Sequence, residues 1–493
     1  MVRWVVVALI ACNGDKDGVG KGEVGEVVYT AGAITGTGSV SYTTDVEGQA
    51  HVEHSLDDGD TWISSAAVDA GSGSIPVIGM RVASTIQLKV VVEADGERVE
   101  SEPIEVETDP PPTGTAPFAL SRWVPEESCM DGGHVMFSTL SQGDRSGMGI
   151  VDRDGKFVWA LGNDTPDTLI GRVRPSRDGK SILWNVAHDA RIDDLAHVFR
   201  MDLDGGNRVE TRTLNGHHDF VELPDESTIA WLGYEFRDLA LPELGTSDPD
   251  PVAADVVFEG PEGLTTAEEA VDVFNMFDDW YGITVSGPDM EKCPTVPGAP
   301  NGFLPGYCEF SHGNSLAYLP EDDAYLVMLR WLDALVKVDR ASGEIVWVFG
   351  GEHDMFTGND ADRFIHGHFS DAWKEPDGLH VLIVDNNDPP PGLTPADVGY
   401  SRYTEFVLDQ TAMTFERTWV YQSDKFENLL GDIRRIPIEG CDNLLISFSA
   451  QGRIVEMTRA NEIVWDIGLP LGNVTSRVHF LPDLYDLSGV AYP

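Results

Sequence analysis

The chain has 493 residues, 42% of them hydrophobic, and a formal net charge of −50 at pH 7. That length calls for more than one domain or one large closed domain, and the apolar fraction supports a substantial core. So acidic a surface repels polyphosphates and excludes nucleic acid as a partner; the acidity is spread along the chain and reads as a solvated surface.

Residues 1–12 read as a short export signal. Arg3 supplies the charge, Trp4–Ile10 the apolar stretch, and Leu9-Ile10-Ala11-Cys12 resembles a bacterial lipobox whose Cys12 becomes lipidated. A polar tether over 13–23 follows. The expectation is a lipid-anchored protein of the cell envelope, periplasmic or on the outer membrane, because Asn13 stands where an inner-membrane retention signal has Asp. No later segment reaches the roughly 20 apolar residues of a spanning helix. In an exported chain Cys129, Cys293, Cys308 and Cys441 are expected to pair. Cys293 and Cys308 flank one irregular Pro/Gly-rich segment and suit a local staple. Cys129 and Cys441 sit at matching positions of the first and last repeats described below, where a bridge would hold a ring closed. Sequence leaves all pairings open, and none of these cysteines has metal-ligand spacing.

Residues 24–108 show alternating strands in VSYTTDVEG (40–48), AHVEHSLDDGDTW (50–62) and IQLKVVVEADGERVESEPIEV (86–106), separated by DG turns. They read as one β-sandwich and resemble a fibronectin type III or other immunoglobulin-like module. Residues 109–117 form a Pro-rich linker.

From 118 to 493 a repeat appears. Six apolar strands each follow an acidic turn, in DGGHVMF (131–137), DGKSILW (178–184), DESTIAW (225–231), DDAYLVM (322–328), DGLHVLI (377–383) and DNLLISF (442–448). The turn acids are 47, 47, 97, 55 and 65 residues apart. A Val-Trp strand follows several of them, in GKFVWALG (155–162), GEIVWVFG (343–350) and NEIVWDIG (461–468). Four antiparallel strands in about 50 residues is a propeller blade, and six such units predict an all-β, six-bladed β-propeller. The long interval implies an insertion over about 238–308 with a short helix in 265–280, either a lid or peripheral decoration.

His218, His312 and His368 each stand seven to ten residues before the turn acid, at the start of the first strand of successive repeats. Stacking around an axis would bring them together. The next strand returns antiparallel, carrying Tyr234, Arg330 and Asp385-Asn386 to the same rim. One guanidinium among imidazoles favours a tetrahedral oxyanion ester, and a neutral imidazole can attack it to form a covalent adduct. Arg330 disfavours a metal among the histidines by charge repulsion. No glycosidase carboxylate pair, GxSxG elbow or nucleotide-cradling Gly-rich loop is present, so no cofactor is expected.

At these residues the chain resembles the bacterial arylsulfotransferases, which act without a nucleotide sulfate donor. The likeness covers about 210–470. It rests on HDFVELP (218–224), on HGNSLAYLPEDDAYLVMLRWLDALVKVDRASGEIVWVFGG (312–351), and on FIHGHFSDAW (364–373) with VDNN (384–387) and SRYTEFVLD (401–409). The resemblance implies His368 as nucleophile, with His218, His312, Asn314 and Arg330 at sulfate-binding and acid–base positions. Tyr234, Asn386 and Arg402 complete the expected substrate contacts, and an aryl sulfate and a phenol are the implied substrates. Gly367 stands where the family has Gln. His366 is a second imidazole that strand alternation would put on the same face as His368. Two other functions fit the same residues: a non-catalytic binding propeller on the cell surface, and a sulfate-ester hydrolase.

Overall fold

The computed structural model describes residues 22–490 except 57–58, 113–117, 131, 142–144, 165–167, 188–195, 241–249, 267–268, 283–306, 389–392, 428–429, 471–472 and 488–489. Cys12 and Cys293 lie outside the described residues, as do the export signal and most of the tether. Strands dominate, and the α-helices among the described residues are two four-residue turns, Met276–Asp279 and Pro395–Val398. No helix among the described residues is long and apolar enough to cross a membrane.

The strands between Val24 and Glu107 form a three-stranded and a six-stranded sheet. Period-two alternation turns Val40, Val52, Ile75, Val77, Leu88 and Val90 inward, and both sheets share one apolar cluster through them. Six further antiparallel sheets of four or five strands follow. Each acidic turn of the repeat precedes the second strand of a sheet: His134–Ser141, Ser181–Ala187, Thr228–Leu239, Ala324–Leu329, Gly378–Asp385 and Leu444–Phe448. The strands heading the sheets are, in chain order, β1 (Leu169–Pro175), β2 (Gly216–Glu222), β3 (Gly313–Leu319), β4 (Gly367–Glu375), β5 (Asp432–Arg435) and β6 (Val474–Leu481). Contacts run from β1 through β6 in order and from β6 back to β1. β6 comes last in the chain yet heads the sheet of His134–Ser141, while Ala119–Trp123 pairs onto the far edge of the sheet headed by β5.

The Val-Trp signature has a physical reason. Trp159, Trp347 and Trp465 lie in fourth strands with no exposure. Each donates Nε1–H to the turn after the third strand of the next sheet: Leu203 O at 2.8 Å, Gln410 Oε1 at 3.0 Å and Arg153 O at 2.7 Å. Trp419 makes the same bond to Arg459 O at 3.1 Å. Burying an indole of roughly 200 Å² contributes about 5 kcal/mol, against about 1 kcal/mol for the bond, so burial drives the contact and the bond aims it. A Cys129–Cys441 disulfide, with a sequence separation of 312 and Cα atoms 5.9 Å apart, ties the first repeat to the last. Cys308 is also disulfide-bonded.

Within 238–308, expected as an insertion, the described residues supply strands. Asp250–Pro261 and Val271–Asn275 are the third and fourth strands of the sheet headed by β2. Among the described residues the helix expected over 265–280 is confined to Met276–Asp279, because the β-branched and aromatic Val271, Val273 and Phe274 favour a ladder against Val256–Glu259. Cys308–Glu309 then pairs parallel to Asp250–Pro261 at Val252 and Ala253.

The N-terminal sheets dock on the sheet headed by β6 through Arg81 Nε to Asp152 Oδ2 at 2.6 Å and Ile78 N to Tyr485 Oη at 2.8 Å. His54 and His134 are neighbours there, and burial pushes both down to about 4, His134 further through His54. Folded pKa values below 6.5 mean that stability is complete above that pH and is lost as pH falls toward 4, by up to about 3 kcal/mol per imidazole. Urea midpoints measured from pH 7.5 to 4.5 should therefore fall with pH, and the slope should flatten in His54→Leu/His134→Met.

Candidate active site

β2, β3 and β4 begin at one rim of the ring. His218 and His312 have left-handed backbone there, with φ of 43° and 50°. Such a conformation costs a non-glycine residue about 1 kcal/mol or more. His312 is held in it by Arg330 N, which donates to His312 O at 3.1 Å. His366, not His368, shares this backbone, with φ of 52° and its N–H donated to Asp333 Oδ1 at 2.5 Å. His368 lies inside the ladder opposite Val384. The three expected histidines are thus not at one repeat position, and the alternation expected between His366 and His368 is broken by the turn at His366.

Their rings nevertheless converge. His218 and His312 pack edge to face with centroids 4.8 Å apart. Burial, then His312 and His217, hold the His218 imidazole well below its usual range, with His368 and Arg172 adding to the effect. Burial, then Arg330, do the same to His368. Both are therefore neutral at pH 7.

The tautomer of His368 follows from its partner. Asn386 donates Nδ2–H to Glu427 O at 2.7 Å and to Leu430 O at 3.3 Å. That fixes the amide with Oδ1 toward His368 Nδ1, 2.7 Å away. An amide oxygen only accepts, so Nδ1 carries the proton and the lone pair is on Nε2.

His312 has a different backing. Its Nδ1 is 2.8 Å from Glu309 Oε1, which also accepts from Tyr234 Oη at 2.6 Å, while Trp331 Nε1 donates to Oε2 at 3.1 Å. Burial alone would raise Glu309, but His312, Tyr234 and Trp331 outweigh it and hold the carboxyl at about 2. Burial, then Glu309 and Asp255, push the Tyr234 phenol well above its usual range, so it stays a donor. Tyr234 also stacks on His217 at 3.8 Å. His217 Nδ1 lies 2.9 Å from His218 Nδ1, and its Nε2 lies 3.2 Å from Asp255 Oδ1.

Arg330 is 6% exposed. It donates Nη1–H to His366 O at 3.2 Å and Asn386 Oδ1 at 3.3 Å, pairs with Asp388, and lies 4.9 Å from the Trp331 ring. His366 Nδ1 also meets Asp388, at 2.9 Å. The two rival imidazoles are therefore sorted by partner, an amide oxygen for His368 and a carboxylate for His366. Asn314 donates Nδ2–H to Gly367 O at 2.8 Å and so holds β3 to the start of β4. Arg402 pairs with Asp385 and donates to Arg363 O at 2.7 Å. These bonds brace the 361–365 loop, so Arg402 faces the loop, unlike the other expected contacts.

Glu309, Trp331, Asp388, His217 and Asp255 belong to the cluster although sequence reasoning missed them. Glu309, three residues before His312, and Asp388, two after Asn386, had a faint signal in their spacing. His217 and Asp255 had none, since their roles arise only from sheet packing. Among the described residues no group of three or more His, Cys, Asp or Glu could hold a metal ion.

Fold and cluster together define an all-β protein with a buried group of histidines around Arg330 at the start of three neighbouring strands. The family model described as Arylsulfotransferase (ASST) matches residues 124–466, and the chain belongs to that family. Aryl sulfotransfer, a transferase activity on small aryl sulfates and phenols, is the general chemistry of the family. No curated protein matches the chain. Among solved structures, apo AztD from Citrobacter koseri is 9% identical, with 87% of this chain and 98% of that one covered and a TM-score of 0.30. Sqt1 from Saccharomyces cerevisiae is 8% identical, with 83% and 92% covered and a TM-score of 0.32. Likenesses this slight carry no functional inference.

¹⁵N-resolved spectra of His368 should show a single Nδ1–H tautomer in the parent protein and a mixture in Asn386→Leu, with the fold intact by circular dichroism.

Proposed function

We propose that the protein moves a sulfuryl group from an aryl sulfate to a phenolic acceptor through a sulfohistidine on His368, with no nucleotide donor. The observation that carries this reading is the neutral, Nδ1-protonated His368, held by Asn386 beside a buried guanidinium. Nε2 attacks sulfur in line with the departing phenolate, the N–S bond forming as the S–O(aryl) bond breaks. Arg330, with His218, stabilises the oxygens of the nearly planar SO3 group. His312, backed by ionised Glu309, protonates the leaving phenolate and later removes the proton of the acceptor phenol. Asn314, Asn386, Tyr234 and Arg402 act as positioning residues: they hold β4, the His368 tautomer, Glu309 and the 361–365 loop.

This function suits a six-bladed β-propeller behind an immunoglobulin-like sandwich, a reading supported by six sheets whose heading strands contact one another in a closed order. Lipidation at Cys12 would fix the enzyme to the bacterial cell envelope. Disulfide bonding at Cys129, Cys441 and Cys308 supports an oxidising compartment.

Intact-mass analysis after brief mixing with 4-nitrophenyl sulfate, without acceptor, tests the proposal. One sulfuryl group should be gained, and none in His368→Ala, while His366→Ala keeps the gain. Turnover retained in purified His368→Ala would overturn the assignment. Removing a single oxyanion donor typically costs 10²–10³ in rate, about 3–4 kcal/mol. Arg330→Met should show a loss of that size in kcat/KM for nitrophenol release with phenol as acceptor.

A further inference from the structure

The hairpin formed by Thr228–Leu239 and Asp250–Pro261 is longer than the strand it flanks. Its two strands pair without interruption from Thr228 and Pro261 to Leu239 and Asp250, whereas β2 begins at Gly216, opposite Gly233. Residues 234–239 therefore run past the start of β2, by roughly 20 Å at the usual rise of an extended strand.

Period-two alternation gives this extension two faces. Glu235 and Arg237 occupy one and are tied to the turn behind it. Arg237 donates Nη1–H to Asp278 Oδ1 at 2.7 Å, and Asn275 donates Nδ2–H to Glu235. Tyr234 and Phe236 occupy the other, with ring centroids 6.2 Å apart. This second face is the one turned toward the histidines, because Tyr234 stacks on His217 and donates to Glu309. Tyr307, two residues before Glu309, packs on Phe236 with centroids 4.7 Å apart. With Tyr234 and Ala253 the two rings form a small apolar cluster distinct from the cores of the sheets. Phe236 and Tyr307 are both only partly buried.

Trp331 carries the aromatic surface to the other side of Glu309. Its Nε1–H goes to Oε2, while Tyr234 takes Oε1. Its ring lies 4.6 Å from His312 and 4.9 Å from the Arg330 guanidinium, and it too is partly exposed. With His312 as the acid for the leaving phenolate, the aryl oxygen sits at that imidazole and the aryl carbons must extend over what surrounds it. Aromatic faces hold flat apolar rings by burial and by offset or edge contacts.

We propose that Phe236 and Tyr307, continuing the surface of Trp331, bind the aryl ring of donor and acceptor and supply the preference for aryl over alkyl groups. This placement rests on the roles proposed for His312 and His368.

Isothermal titration calorimetry of the full chain with 2-naphthalenesulfonate and with methanesulfonate tests it. Both ligands carry the same anionic head, and neither can transfer it, because sulfur is bonded to carbon. The parent protein should bind the naphthyl ligand at least about tenfold more tightly. That ratio should fall at least about fivefold in whichever of Phe236→Ala and Phe236→Ala/Tyr307→Ala is folded by circular dichroism, with methanesulfonate affinity unchanged. Failure of the parent to bind naphthalenesulfonate, equal affinity for the two sulfonates, or an undiminished ratio in a folded variant overturns the proposal. No covalent step enters these measurements, whereas the sulfohistidine is read by adduct mass, so the two proposals fail separately.

Discussion

An indole reaching from one sheet into the turn of the next is the contact on which the rest of the structure depends. It recurs at four of the six junctions, from Trp159, Trp347, Trp419 and Trp465. Each ring, fully buried at Trp159, Trp347 and Trp465 and half-buried at Trp419, fixes how far one sheet sits from its neighbour, and its N–H fixes the angle. With the outer strands held in this way, the heading strands are forced together, and their first residues crowd at a common rim. The left-handed turns at His218 and His312 are tolerated because that crowding over-determines them.

At the rim, most polar atoms are committed to other protein atoms, and this commitment gives the pocket its chemistry. The difference between His366 and His368 illustrates it. They lie two residues apart, yet one meets the Asp388 carboxylate and the other the Asn386 amide oxygen. The amide oxygen fixes the His368 proton on Nδ1 and leaves the Nε2 lone pair free to attack, whereas the His366 ring faces a carboxylate that it shares with Arg330. Arg330 spans both, touching Asn386, Asp388 and the His366 carbonyl. Its charge therefore lies beside the nucleophile with little freedom to move, which is the preorganisation that electrostatic catalysis needs.

What the sequence made legible were features that repeat or alternate. The acidic turn before each second strand and the Val-Trp strand were readable because each is a local pattern with a packing cause. The nearness of His218, His312, His368 and Arg330 was readable because successive repeats bring their first strands to one rim, although His368 does not occupy the repeat position of the other two histidines. Two kinds of feature were not. The stretch 238–308 looked like an insertion because its strands, Asp250–Pro261 and Val271–Asn275, lack the acidic-turn signature and are separated by long connections. Partners such as Asp255 and Glu309 were hidden because they meet the histidines only after a parallel pairing, Val252 with Cys308, folds one segment back along another. Arg402 was expected as a ligand contact from the resemblance of SRYTEFVLD (401–409) alone, whereas Asp385 and two loop carbonyls already hold it.

The position of β6 has a consequence for how the molecule comes into being. Residues 474–481 head the first sheet yet follow every other strand of the ring in sequence. Until they dock, His134–Ser141 has no inner neighbour and the ring of heading strands is open between β5 and β1. A chain lacking only this strand already carries all of its rim histidines. The ring of heading strands therefore closes in one late step, the docking of its last strand, rather than sheet by sheet.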